Sequence, residues 1–352
     1  MLNRCWRLTA VATLAGCCTR ASATAAAANQ TACEPIRRVG ILGAGAIGAI
    51  YANHFAKVPD AFQTVLLATG ERAERLRSTP WVINGKVLQG VAVTDPSAPG
   101  AEVTPVDLLL VAVKHQHLLD AVKDAAPLVA PNRTLILSVM NGLDSEDVLI
   151  ERFGERSVLH CMALAMDSTR KGREVQYANA GKLVFGATAS GIAVAADADE
   201  RVARVAEALS AVGLEYATPD DIVHEMWFKF MVNVGVNQAS AIMQWTYAEM
   251  RDPNHPQGRR LMEALQREVI AVAAPAGVSL GPADVERWQR VFEGLGGAQK
   301  TSMLQDVEAG RPTEVEAFAG KVMRLGERFG VETPTNRAVY HLLRVMGAET
   351  RT

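Results

Sequence analysis

Three polar side chains stand alone in an otherwise apolar helical run. They are Lys229, Asn233 and Asn237, within Met226-Trp227-Phe228-Lys229-Phe230-Met231-Val232-Asn233-Val234-Gly235-Val236-Asn237. At about 3.6 residues per turn, a spacing of four puts them on one helix face with roughly 40° of drift per step. An ammonium on such a face needs partners. In a polar cleft it can act as a general acid or stabilise a developing oxyanion. The asparagines orient a ligand without adding charge. A solvent-facing stripe is the rival reading; three polar residues in register beside Gly235, which admits close backbone approach, favour the cleft.

A second chemistry lies upstream in Gly43-Ala44-Gly45-Ala46-Ile47-Gly48, between a short apolar strand, Val39 to Leu42, and a helical pattern. The spacing is that of a dinucleotide turn. Gly43 permits the tight bend, Gly45 lets backbone approach a pyrophosphate, and Gly48 packs the helix on the strand. The helix N-terminus offers free N–H groups and a positive dipole end to phosphates. The next strand, Thr64 to Ala68, ends in Ala68-Thr69-Gly70, without the acid that would hold a ribose 2′-hydroxyl. Arg72 and Arg75 follow, cations suited to a 2′-phosphate, so NADPH is favoured over NADH. On an amphipathic helix the same arginines could be solvated charges.

Two further apolar runs read as parallel strands covered on both faces. One, Val106 to Val113, ends in Lys114; the other, Thr134 to Val139, ends in Met140-Asn141-Gly142. Ligands in open α/β sheets sit outside such carboxyl ends, which makes Lys114 and Asn141 candidates. Mixed strand and turn signals follow from Ser157 to Ala187, then an alanine-rich helix near Glu200 to Val212. From Asp252 the pattern is helical, with breaks at Pro275 to Gly277, Gly294 to Gly297 and Gly330 to Pro334. The block from Thr301 to Glu316 reads as a polar, loop-breaking connection. In it Thr313 is a candidate cap, and Glu314 by itself reads as a first-turn acid.

The 352 residues are ample for two domains. A net charge of −2 excludes a basic nucleic-acid surface, and 49% hydrophobic residues exclude disorder, leaving small molecules as partners. Cys5, Cys17, Cys18 and Cys33 crowd the start and only Cys161 lies beyond, so neither a disulfide scaffold nor a metal site is expected in the body. The first 33 residues carry Arg4, Arg7 and Arg20, no acid, and a short apolar run, the outline of a secretory signal with a lipoprotein-like Leu14-Ala15-Gly16-Cys17, of an organelle transit segment, or of a wrong start codon. Cytoplasmic location is the expectation, with export or organelle targeting as the alternative. No other run approaches the roughly 18 apolar residues of a membrane span. The expected division is an extension over 1–36, a dinucleotide-binding domain over 37–218 and a helical domain over 219–352.

These pieces together resemble the ketopantoate reductase (2-dehydropantoate 2-reductase) family. The resemblance runs from about Val39 to Asn336. It is carried by the glycine motif, the strand ending in Lys114, Asn141-Gly142, the Trp227-x-Lys229-x-x-x-Asn233-x-x-x-Asn237 helix, Thr301-Ser302-Met303-Leu304-Gln305-Asp306 and Thr313-Glu314. It implies an α/β fold, a Rossmann-type parallel sheet domain joined to an all-helical C-terminal domain, with NADPH and a 2-oxo acid in the cleft between. By this likeness Lys229 is the general acid, and Asn141, Asn233, Asn237, Ser302 and Glu314 bind substrate. The cofactor set is Gly43, Ala44, Gly45, Ala46, Ile47, Gly48, Arg72, Lys114, Asn141, Ser168 and Glu314. A homodimer is permitted but not demanded by the apolar helices. Two departures stand out. Tyr247 replaces an asparagine that some members carry near the substrate hydroxyl, and the N-terminal extension is not part of the family outline. The rivals are a paralogue reducing another 2-oxo acid and a non-catalytic dinucleotide-binding sensor.

Overall fold

The computed structural model describes residues 34–349. The readings of the first 33 residues, with their four cysteines, lie outside the described residues. Among the described residues thirteen strands are formed: β1 (Arg38–Leu42), β2 (Gln63–Leu67), β3 (Val82–Ile83), β4 (Lys86–Val87), β5 (Val91–Thr94), β6 (Leu108–Val111), β7 (Leu135–Ser138), β8 (Val158–Leu164), β9 (Ser168–Lys171), β10 (Glu174–Tyr177), β11 (Lys182–Ala189), β12 (Ile192–Val194) and β13 (Glu215–Ala217). The main sheet runs β12-β11-β8-β7-β6-β1-β2-β5, with β13 against β11. From β5 through β8 every pairing is parallel. The path β5-β2-β1-β6-β7-β8 is the doubly wound order, and it reverses between β1 and β6.

Continuous apolar strands are what such a sheet requires, since both faces are covered. Leu108, Leu109, Leu110 and Val111 are all fully buried. One face packs beneath helices Ala46–Ala56 and Glu200–Ala211, the other beneath Leu118–Ala125 and Ser145–Phe153. A small second sheet, β4-β3-β10-β9, flanks the first. Beyond β13 every regular element among the described residues is helical, with Phe230, Phe292 and Phe318 in a separate core. The Rossmann-type sheet followed by a helical part is the architecture expected from the sequence pattern.

The long helix Ile222–Met243 joins the two parts. Its start is capped by the Asp221 carboxylate, which accepts from the His224 N–H at 2.8 Å. Ile222 and Met226 pack on Met162 of β8 and Val184 of β11, so the first two turns sit on the sheet. Further along, a Cβ on Gly235 would come within 2.6 Å of the Gln266 side chain. The close approach that Gly235 permits is therefore to helix Gln257–Ala273 rather than to a ligand.

The block around Thr301 also differs from the expected connection. It holds a helix, Ser302–Glu308, capped by Thr301 Oγ1, which accepts from the Leu304 N–H. Met303, Leu304 and Asp306 turn inward while Ser302 and Gln305 stay exposed, so the polar look of the segment belongs to one face only. Thr313 makes no side-chain cap. Glu314 lies in the bend before a π-helical turn, Glu316–Gly320. Among the described residues no helix is long and apolar enough to cross a membrane, and no cluster of metal-ligating side chains occurs.

Candidate active site

At the end of β1 the three motif glycines do three different things. Gly43 has φ +110°, and a Cβ there would stand 2.6 Å from the Ala112 backbone at the end of β6. Only glycine turns the chain that tightly against its neighbour. A Cβ on Gly48 would lie 2.0 Å from the Gly43 carbonyl oxygen, so helix Ala46–Ala56 is pressed onto the turn. Gly45 is different: a Cβ would meet nothing nearer than the Ala112 oxygen at 3.9 Å. The space it keeps clear lies over the first helical turn, where N–H groups have no intrahelical acceptor. That cradle fits a pyrophosphate, and the residues present fit a bound dinucleotide.

The cradle opens into a cavity of about 830 Å³. Its floor is Gly45, Ala46 and Ile47; its sides are Ala112 to Lys114 after β6 and Val139 to Asn141 after β7. Ser168, Thr169, Arg170 and Gly172 close one end, while Ser302, Gln305, Asp306, Arg311 and Glu314 face it from the helical part. Charge ties the two walls together. Lys114 Nζ lies 3.3 Å from Asp306 Oδ2 and 3.6 Å from Glu314 Oε1, and Arg311 pairs with Asp306 at 2.8 Å.

Asn141 sits where these contacts meet Lys229. Its Nδ2 donates to Glu314 Oε2 at 3.1 Å, and its Oδ1 accepts from Lys229 Nζ at 3.0 Å. Lys229 also donates to the Ala163 carbonyl of β8 at 2.8 Å. The Asn141 loop is itself pinned: Ser138 Oγ donates to Ser145 Oγ at 2.7 Å, and Ser145 Oγ donates to Glu146 Oε2 at 2.8 Å.

Burial pushes the Lys229 ammonium down to about 8, with Cys161, Glu314 and Glu146 opposing the drop. Burial also pushes Glu146 up to about 7, with its hydrogen bonds working against the rise. A lysine poised near neutrality holds a proton and can release it, which an ordinary lysine does poorly. If protonated Lys229 is the proton donor, kcat/KM falls as pH rises through about 8. Glu146→Gln removes a negative neighbour that favours the ammonium, so the alkaline limb of the pH profile should move to lower pH. A limb that stays in place in the variant would show that the Glu146 carboxylate does not act on Lys229.

The structure thus brings Asn141, Glu314, Lys114, Ser168 and Ser302 to one cleft with Gly45, Ala46 and Ile47, with Lys229 behind the wall and joined to it through Asn141, while Gly43, Ala44 and Gly48 lie beneath as scaffold. Like Lys229, Asn233 and Asn237 are not themselves part of the cavity lining. They follow Lys229 by one and two turns, about 6 and 12 Å along the helix axis, and neither side chain hydrogen-bonds another described residue. Arg72 and Arg75 are exposed on helix Gly70–Ser78, outside the cavity lining. Tyr247 packs edge-on against Phe292 in the helical core, away from the cavity. Sequence reasoning passed over Asp306, Arg311, Arg170 and Glu146. Glu146 carried no signal, because Asp144-Ser145-Glu146-Asp147 reads as an ordinary acidic first helical turn; for Arg170 the available signal was a second basic run, Arg170-Lys171-Gly172-Arg173.

Comparison with known proteins agrees with this geometry. The family model described as Ketopantoate reductase PanE/ApbA matches residues 39–190, and that of the Ketopantoate reductase PanE/ApbA C terminal matches 221–347, together more than three quarters of the chain. A 2-dehydropantoate 2-reductase of Mesorhizobium japonicum is 29% identical over 339 residues, covering 89% of this chain and 98% of that protein. The crystal structure of a PanE/ApbA family ketopantoate reductase from Ralstonia eutropha JMP134 superposes with a TM-score of 0.73 at 26% identity, covering 90% of this chain and all of that one. D-mandelate dehydrogenase, in a ternary structure with NADH and anilino(oxo)acetate, shares the fold with a TM-score of 0.76 at 21% identity and 90% coverage of this chain and all of that one. With the glycine cradle, the β6 and β7 strand ends and the lysine helix in one cleft, this chain is an oxidoreductase belonging to the ketopantoate reductase family.

Proposed function

We propose that this chain reduces 2-dehydropantoate to (R)-pantoate with NADPH, the step that feeds pantothenate and coenzyme A biosynthesis. The observation that carries the reading is the Lys229 ammonium, held between Asn141 Oδ1 and the Ala163 carbonyl where the cofactor cleft meets the helical part. When bound, NADPH supplies a hydride to the ketone carbon of the substrate. Lys229 Nζ places its charge and a proton at the ketone oxygen, where negative charge accumulates. Asn141 aims that ammonium and is itself fixed by Glu314. By the family likeness Asn233, Asn237 and Ser302 are assigned to the substrate carboxylate and hydroxyl, and Lys114 and Ser168 to the cofactor; of these Ser302, Lys114 and Ser168 line the cavity.

NADPH is favoured because the end of β2 offers no free acid. The two carboxylates that stand at it are engaged: Asp95 accepts from the Gly70 N–H, the Ser97 N–H and the Ser97 hydroxyl, and Asp124 accepts from the Thr69 hydroxyl at 3.1 Å. Cytoplasmic placement goes with the supply of NADPH; a mature protein beginning at Cys17 would overturn it. The test is oxidation of NADPH and of NADH by the purified chain with 2-dehydropantoate and a panel of other 2-oxo acids. The highest kcat/KM is expected for NADPH with 2-dehydropantoate. A higher value for another 2-oxo acid would replace the substrate, and no turnover with any would leave a dinucleotide-binding protein without this chemistry.

A further inference from the structure

The hairpin β9–β10 carries a basic surface that no part of the chemistry above uses. Its turn is Gly172, at φ +59°, and its second half is anchored twice. The Arg173 carbonyl accepts from the Val82 N–H at 3.0 Å, and the Tyr177 hydroxyl lies 3.3 Å from His54 Nε2 on the helix that follows the glycine turn. At its turn two guanidinium groups stack on one indole. Arg170 lies 4.8 Å and Arg173 5.2 Å from the ring of Trp81, which is only 1% exposed. Arg170 Nε donates to the Gly172 carbonyl at 2.9 Å, which fixes the plane of the fork, while its two Nη groups have no hydrogen-bond partner among the described residues. A flat cation stacked on an aromatic ring and locked at Nε is preorganised to take two oxygens of a phosphate.

These arginines are not isolated. Burial lowers the pKa of both, and like charge lowers it further: Arg173 feels Arg75 and Arg72, and Arg170 feels Arg173, Arg72 and Arg311. Among the described residues none of Arg72, Arg75, Arg170 and Arg173 has a carboxylate partner. A protein that gathers four cations and leaves them unpaired has built a site for an anion of more than one charge. Its position says which one. Arg170 and Gly172 line the same cavity as Gly45 and Ile47, and Arg72 follows the end of β2, where a dinucleotide directs its adenosine ribose.

We infer that the hairpin completes the 2′-phosphate site of the cofactor: Arg170, with Arg173 beside it on Trp81, joins Arg72 in gripping that phosphate and sets the preference for NADPH over NADH. This rests on the NADPH reading above and adds to it residues about 100 positions away in sequence. The glycine cradle serves the pyrophosphate common to both cofactors; the hairpin serves only the group that distinguishes them.

The test uses titration calorimetry of the full chain with 2′,5′-ADP and with 5′-AMP, so that it does not depend on turnover. Arg170→Ala should raise the Kd for 2′,5′-ADP about tenfold and leave that for 5′-AMP nearly unchanged. Arg170→Lys should recover only part of the loss, because it keeps the charge without the fork. The ratio of KM for NADH to KM for NADPH should fall in parallel. Arg170 is exposed, so the fold survives the change, which an unshifted melting curve verifies. Equal weakening of both nucleotides, or weakening of neither, overturns the assignment. A wild-type chain without preference for 2′,5′-ADP would defeat the NADPH reading and the hairpin with it. A preference lost in Arg72→Ala but kept in Arg170→Ala would defeat the hairpin alone.

Discussion

Lys229→Ala is expected to lower kcat by about 10²- to 10⁴-fold, the usual contribution of a positioned general acid, while NADPH still binds with near-native affinity. The two effects separate because Lys229 touches the cofactor cleft only through Asn141. The residues of the glycine cradle and of the β6 end make no contact with the ammonium. Truncation leaves Asn141 Oδ1 and the Ala163 carbonyl without their shared donor, at a cost of about 1–3 kcal/mol, which a domain of ordinary stability survives. Lys229→Arg should be nearly as inactive, since a guanidinium keeps its proton and its fork does not fit a site built for one nitrogen. Steady-state rates and a fluorescence titration with NADPH check both halves. Near-normal turnover in Lys229→Ala would remove this lysine from the chemistry.

The second large effect is a contrast between two glycines three residues apart. Gly48→Ala forces a Cβ to 2.0 Å from the Gly43 carbonyl oxygen, backbone against backbone, where neither side can yield without unmaking the turn. A loss of about 3 kcal/mol or more is expected, read as a lower urea midpoint at unchanged slope. Gly45→Ala meets no crowding inside the protein, and its φ of −87° suits alanine. Its stability should therefore stay within about 0.5 kcal/mol of the parent. Its methyl group instead occupies the space kept clear over the helix N-terminus, so dinucleotide affinity should fall about tenfold or more. Equal stability loss in both variants would mean that the cradle is only a packing feature.

These contrasts also mark where the sequence was legible. The glycine motif and the polar stripe are local patterns, and a period of three or four residues carries its own geometry. In the structure only one member of the stripe is tied to the cleft: Lys229 hydrogen-bonds Asn141, while Asn233 and Asn237 follow it along the helix axis without a side-chain hydrogen bond to a described residue. Glu314 looked like a first-turn acid because its partners, Asn141 and Lys114, are more than 170 residues away. The segment Ser302–Glu308 looked like a loop because half its residues are polar, yet the helix needs only Met303, Leu304 and Asp306 to face inward. Arg170 and Arg173 showed in the sequence only as a basic run, for the same reason. Their meaning depends on Trp81, which the parallel pairing of β3 with β10 brings beneath them.

Lys114 spans the cleft with one counter-charge on each of two segments, Asp306 in one helix and Glu314 in the following bend. An anion arriving at the cleft therefore does not meet a bare cation. On the proposed assignment of Lys114 to the cofactor, it would displace carboxylates that already neutralise Lys114, with Asp306 keeping Arg311 as its remaining partner. Loading the cleft is in this sense an ion exchange. Added salt screens the pairs that are lost as well as those that form, so affinity should depend on ionic strength less steeply than the number of ligand charges alone implies.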